Sequence, residues 1–282
     1  MSLKTFKSIG IGVAFSPNLK ANLFEAARLS VFFGAKLFLI HVGEASKDKI
    51  DMLSIILKGF EKDNLDYEVV FKTGDPVNVI LSTSERKKID LLILGAVQRE
   101  RFVKYYVGSI ARKITRQAKC SILLLIKPSV ERISCQHIVV NGLKDPKTEQ
   151  TITTAFYVAK QLNASKITIV EEINQDQVSV KVDDDKSLRR ATIMKERIKL
   201  RENSRIKEII SHIPEAYTEN KTVKLQPIFG RKGYSIGHYA QIMRADLLVM
   251  NAPTKMTFWD RLFPHDIEHI LTELPTDVLI LQ

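Results

Sequence analysis

Apolar residues fall in short unbroken runs separated by longer stretches with helical spacing. "SIGIGVAF" (8–15), "KLFLIHV" (36–42), "DLLILG" (90–95) and "SILLLI" (121–126) carry the first half of the chain. Runs this short and this continuous predict strands covered on both faces, as in a parallel sheet. Between the first two, a turn at Ser16-Pro17 leads into a helical pattern containing alanines. The order is β-α-β, which implies parallel strands and a right-handed crossover.

The second half repeats this plan. "SIGIGVAFSPNLKANLFEAARLSVFFGAKLFLIHV" (8–42) aligns with "HIVVNGLKDPKTEQTITTAFYVAKQLNASKITIVEEI" (137–173), with Asp145-Pro146 at the matching turn. "IDLLILGA" (89–96) matches "ADLLVMNA" (245–252), and "CSILLLIK" (120–127) matches "PTDVLILQ" (275–282). The expected architecture is α/β, with two doubly wound parallel-sheet domains in tandem. Their expected bounds are 1–128 and 135–282, joined by the short polar connector "KPSVERIS" (127–134). In such sheets ligands sit beyond the carboxyl ends of the strands, where strand order reverses.

The repeat is interrupted by an insertion at roughly 174–220. Its part from Ser187 to Ile210 has Leu188, Ile193 or Met194, Ile198, Ile206 and Ile209 or Ile210 near helical spacing, with charges of both signs elsewhere. The spacing predicts a charged amphipathic helix, lying on its own domain or offering a surface to a partner. The strands that flank it match the repeat without it, which predicts two domains able to fold when 175–218 are removed.

Composition adds few constraints. Apolar residues make up 45% and charged residues 27% of the 282 positions, ordinary for a globular protein. No apolar stretch reaches the roughly 18–20 residues that span a membrane, and the start reads as a first strand and not as a signal peptide. Two cysteines, Cys120 and Cys135, exclude a disulfide framework and suit a reducing cytoplasm. The formal charge of +11 raises the question of a polyanion partner. Its basic residues are mixed with acidic ones and no basic run is interleaved with aromatics, which argues against nucleic acid.

Candidate chemistry gathers in "LGAVQRERFVKYYVGS" (94–109). A glycine ends a strand at Gly95, and Gly108-Ser109 open a helical pattern. Glycine allows a phosphate to approach the backbone closely. A helix start offers free amides and a dipole that favours an anion. Gln98 stands where a second glycine would help most.

These motifs resemble the universal stress protein family: "VAFSPN" at one strand end, "HV" at the next, "GDP" (74–76), "DLLILGA" and "GSIARKI". The likeness is stronger over 5–127 than over 135–282, and two halves in one chain resemble the tandem form. The resemblance implies two Rossmann-like domains and a site for ATP or a related adenine nucleotide. ATP-binding members carry a glycine, two residues, a glycine, nine residues, then glycine and serine or threonine. Here the positions are Gly95, Gln98, Gly108 and Ser109, with the second glycine replaced. An aspartate that meets the nucleoside is replaced by Ala14, followed by Phe15. The backbone of Val42 is the position expected to meet the adenine edge. Arg99 and Arg101 could pair with phosphates or be plain loop charges. In the second half Asn141, Asn251, Thr254 and Pro264-His265 stand at the matching places, and Pro264 has no amide hydrogen to donate.

Other constellations are weaker. His265 and His269 lie at i and i+4 without a third ligand, so no metal site is assigned. His41 reads as a structural hydrogen bonder, and "FGRKG" (229–233) as a basic turn. No nucleophile–base pair is recognisable, so no catalytic residue is assigned. The expected function is a stress-response regulatory or binding protein with weak or lost ATP binding in the first domain and an unknown protein partner. The family implies an intrachain pseudo-dimer, and a homodimer is possible on the same grounds. Two alternatives are kept: a slow nucleotide-hydrolysing or adenylating enzyme, and a protein-binding scaffold with no nucleotide.

Overall fold

The computed structural model describes residues 3–98, 105–174, 177–178, 183–230, 234–252 and 266–282. The chain divides into two compact units, one formed by residues 4–134 with 271–282 and the other by 1–3 with 135–270.

In the first unit, β1 (Ser8–Val13), α1 (Leu19–Phe33), β2 (Lys36–Val42), α2 (Lys47–Leu57), β3 (Tyr67–Lys72), α3 (Pro76–Arg86) and β4 (Leu91–Gly95) follow in order. A two-stranded ribbon, β5 (Val97–Gln98) with β6 (Tyr105–Tyr106), precedes α4 (Ser109–Gln117) and β7 (Ser121–Leu125). β7, β4, β1, β2 and β3 lie side by side in that order, all parallel. Leu37, Leu39, Ile40, Leu92, Ile93 and Leu124 are fully buried between the helical layers, which explains the absence of polar alternation in their runs. Gly34 ends α1 in the left-handed conformation at φ 59°, its N–H reaching back to the Ser30 and Val31 carbonyls. Asn163 serves the matching helix of the other unit at φ 58°; glycine and asparagine are the residues that tolerate this cap.

The second unit contains β8 (His137–Asn141), α5 (Thr148–Leu162), β9 (Lys166–Asn174), α6 (Asp185–Ser211), α7 (Glu215–Thr218), β10 (Thr222–Gly230), α8 (Tyr234–Ile242) and β11 (Leu247–Asn251). α9 (Asp266–Thr272) follows. Its strands run β10-β9-β8-β11, all parallel. This is the order β3-β2-β1-β4 of the first unit, so the internal repeat is matched strand for strand. The same acid locks each copy. Asp90 accepts the N–H groups of Lys7 and Ser8 at 2.9 and 3.1 Å, and Asp246 accepts those of Gln136 and His137 at 2.8 and 2.9 Å. Each carboxylate thereby anchors the entry to the central strand from the strand beside it. Asp246→Ala is expected to lower stability by about 1–3 kcal/mol, since it strands two amides that bonded a charged acceptor. Urea unfolding of the variant checks this.

The expected domain bounds need correction. The run matched to the end of the second repeat, now β12 (Asp277–Leu281), is built into the first unit. It pairs antiparallel with β7, Val278 opposite Leu124 and Ile280 opposite Ile122. Ile126 N–H donates to Asp277 at 2.8 Å and Lys4 donates to the Gln282 carbonyl at 2.8 Å, pinning both ends. An apolar edge strand left open is a liability, and β12 closes the edge of β7.

The segment at 174–220 lies on its own domain, one of the two readings its periodicity allowed. α6 follows β9 as α2 follows β2, so it is a lengthened counterpart of a repeat helix. It begins with a capping box between Asp184 and Ser187. Ala191, Ile198 and Ile206 are buried, whereas Leu188 and Ile193 are exposed. Removing 175–218 would therefore strip apolar cover from this unit.

Candidate functional site

In the first unit the chain lays β2 and β3 on one side of β1 and then crosses to β4 on the other. Strand order reverses between β1 and β4, which opens a crevice at their carboxyl ends. Ala14 and Phe15 leave β1 there, and Gly95 ends β4. A tight turn follows Ala14: its carbonyl accepts the Ser16 N–H at 2.9 Å, and Ser16 accepts the Leu19 N–H at 3.0 Å. The methyl of Ala14 is exposed and brings no polar atom to the crevice.

His41 organises the β2 side. Its Nδ1–H donates to the Val13 carbonyl at 3.0 Å, because a carbonyl can only accept. Nε2 then accepts from the Lys49 ammonium at 3.3 Å, and Lys49 also donates to the Glu44 carbonyl at 2.9 Å. Phe15 and Phe71 meet the imidazole edge-on at 4.9 and 5.5 Å, and Lys49 lies 5.7 Å from the Phe15 ring. His41 is thus a structural bonder between strand ends, as the sequence suggested. Val42 follows, half-buried and opposite Lys72. Gly43 has φ 151°, and a Cβ there would lie 2.9 Å from His41 Nε2.

On the β4 side Gly95 is exposed, and the atom nearest to where its Cβ would stand is Asn22 Oδ1, at 3.7 Å. Asn22 is on α1 and was not singled out from the sequence. No local pattern marks it; only the packing of α1 brings its amide to the strand end. Beyond Gly95 the backbone enters the β5–β6 ribbon, with Gln98 opposite Tyr105. β6 is held in turn: Leu274 N–H donates to Tyr105 and Val107 N–H to Leu271, both at 3.0 Å. Arg99 and Arg101 lie outside the described residues.

Gly108 is the N-cap of α4 and Ser109 its first residue. No side chain caps this start, and its first turn carries no acid. A Cβ on Gly108 would stand 3.3 Å from Val97 Cγ2, so the ribbon leans on the helix start. The structure therefore brings Ala14, Phe15, Val42 and Gly95 to one end of the sheet, with Gly108 and Ser109 at a helix start that the ribbon flanks.

The second unit fills its own crevice. Asn141 is 3% exposed, and its side-chain oxygen accepts the Leu143 N–H at 3.0 Å. Asp145 accepts from Lys147 N–H at 2.8 Å and from the Asn251 amide at 3.3 Å, while Thr148 donates to the Leu143 carbonyl. Asn and Asp satisfy their own turn in this way. Thr254, Pro264 and His265 lie outside the described residues. His269 is half-buried, edge-on to Tyr234 at 6.5 Å. Among the described residues no three metal-ligating side chains come together, and the turn at 229–233 is described only as far as Gly230.

A site the sequence did not disclose lies at the position matching His41. Glu171 is 2% exposed, and neither carboxylate oxygen has a hydrogen-bond partner among the described residues. Arg205 of α6 approaches to 3.8 Å. That guanidinium is bonded elsewhere, to Glu202 at 2.8 Å and to the Gly142 carbonyl at 2.6 Å. Burial pushes the Glu171 carboxyl up to about 7, with Arg205 opposing the rise. Glu202 pays a burial penalty too, but its bonds to Arg205 and Arg201 outweigh it and hold it below the usual range. Cys120, buried at a strand entrance, is pushed up to about 11 by burial, which leaves an inert thiol.

A mostly parallel sheet under helices, repeated in one chain, with a crevice at the β1/β4 reversal, defines a tandem doubly wound α/β fold. Residues 5–125 match the model of the universal stress protein family. A universal stress protein of Methanocaldococcus jannaschii is 33% identical over 58 residues, covering 21% of this chain and 34% of that protein. One from Methanothermobacter thermautotrophicus is 29% identical over 69 residues, covering 24% of this chain and 47% of that protein. The chain thus matches between a third and a half of the length of these relatives. A crystal structure of a universal stress protein from Archaeoglobus fulgidus superposes with TM-score 0.66 at 16% identity, covering 98% of both chains; at that identity the likeness is one of fold. Over residues 5–125 the chain is thus similar to the universal stress protein family. No helix among the described residues is long and apolar enough to cross a membrane.

Proposed function

We propose that the protein is a regulatory binding module of the universal stress type, whose first unit keeps only a weakened site for an adenine nucleotide or small anion. The observation that carries this reading is the β5–β6 ribbon. Where a phosphate cradle needs bare backbone between β4 and α4, Gln98 is paired opposite Tyr105 and Val97 stands against Gly108. Ala14 adds nothing for a ribose to bond. The uncapped start of α4 retains its attraction for an anion. An enzymatic role is disfavoured by His41: both of its nitrogens are bonded, to Val13 and Lys49, so it has no lone pair free to take a substrate proton.

Titration calorimetry with ATP tests the reading. The unaltered protein is expected to bind weakly or not at all. Gln98→Gly with Ala14→Asp is expected to raise affinity by about one to two decades for each restored contact, each being worth roughly 1–3 kcal/mol. Tight binding by the unaltered protein would overturn the proposal. No gain from the double change would favour the scaffold reading, with the nucleotide site lost for other reasons.

A further inference from the structure

The outer face of α6 is left unused by everything described above. Lys186, Arg190, Ile193, Arg197, Leu200 and Ser204 follow one another at alternating spacings of four and three residues, and all are exposed. This is the spacing of a coiled-coil seam. Ile193 and Leu200, seven residues apart, are 53% and 65% exposed. Continued to Lys207 and Ser211, the seam runs for about 38 Å at about 1.5 Å per residue.

Its charge is one-sided. Residues 186–201 contain seven lysines and arginines and one acid, Glu196. Several of these cations are engaged elsewhere: Lys195 stacks toward Phe229, Lys199 pairs with Glu196, and Arg201 pairs with Glu202. Arg190 and Arg197 on the seam have no ion pair or side-chain hydrogen bond among the described residues. Two desolvatable apolar side chains thus alternate with two cations that lack counter-charges.

We propose that this seam docks an acidic amphipathic helix of a partner protein, with apolar side chains against Ile193 and Leu200 and carboxylates against Arg190 and Arg197. A second copy of the same helix would set arginine against arginine, so the charge pattern opposes self-pairing. A nucleic acid would use the cations but not the apolar pair. A lipid surface would find only Ile193 and Leu200 to bury on this seam, little area for stable insertion. The helix-in-groove mode matches both features.

The test uses the full chain and a labelled synthetic peptide of about four heptads, with leucine at one seam position and glutamate at the other. Fluorescence anisotropy should show saturable binding at least about tenfold tighter than that of a scrambled peptide of the same composition. Arg190→Glu with Arg197→Glu should abolish it, and a peptide with lysine in place of glutamate should restore binding to that variant. The rescue shows that a loss does not come from misfolding. Equal binding of the scrambled peptide, or failure of the rescue peptide, overturns the proposal. So does tighter binding to duplex DNA or to phosphatidylserine–phosphatidylcholine vesicles. Sedimentation showing self-association that Leu200→Ser abolishes would assign the seam to a second copy instead.

Discussion

Glu171→Gln is expected to flatten the pH dependence of stability in the second unit. The folded carboxyl titrates at about 7, against 4.5 for an ordinary glutamate. Below about pH 4.5 the group is protonated whether folded or unfolded and contributes no difference. As pH rises towards 7, the unfolded chain releases the proton while the folded unit retains it, and stability falls. Above 7 both forms are ionised and the loss is complete, at about 3 kcal/mol for a shift of this size. The unaltered protein should lose about that much more stability than the variant between pH 4.5 and pH 8. Urea midpoints measured across that range decide it. Parallel curves for the two proteins would show that Glu171 is solvated or partnered in solution.

Ile206→Ala is expected to cost about 2–5 kcal/mol, the usual range for removing a fully buried isoleucine and leaving a cavity. Ile206 is fully buried under α6. Ile193→Ala and Leu200→Ala, on the opposite side of the same helix, should each change stability by less than about 0.5 kcal/mol. The contrast separates a helix that belongs to the core from an appended one. Equal, small effects at all three positions would restore the view of 174–220 as a removable insertion.

The two units treat one strand position in opposite ways. At the end of β2, His41 accepts from Lys49 of the helix that follows. At the matching place in β9, Glu171 faces Arg205 of the helix that follows. Each cation comes from the next helix, but only the second is shared with a competing carboxylate, Glu202. Gly142 belongs to the same arrangement. A Cβ there would fall 2.8 Å from Ile169 Cγ2 and 3.1 Å from the Val170 carbonyl, so the close approach that brings its carbonyl to Arg205 requires glycine.

Much of the fold was legible in the sequence, because the signals are local. Unbroken apolar runs such as "LLIL" mark doubly covered strands, and helical spacing marks α1, α5 and α6. The pairing of "IDLLILGA" with "ADLLVMNA" announced a repeat that the strand orders bear out. The helix start at Gly108-Ser109 and the strand end at Gly95 were also readable, since glycine at such points answers to backbone geometry within a few residues. Tertiary structure alone decided the rest. That "DVLILQ" pairs with "SILLLI" was expected from the family resemblance, but that β12 closes over about 150 residues of chain to become part of the first unit was decided by packing. The Gln98–Tyr105 ribbon depends on Leu271 and Leu274 holding β6. Which face of α6 is buried, and that neither Glu171 oxygen finds a hydrogen-bond partner among the described residues, depends on the seating of one helix against α5 and β10. Periodicity shows that a helix has an apolar side; only packing selects Ile206 for the core and leaves Leu200 in water.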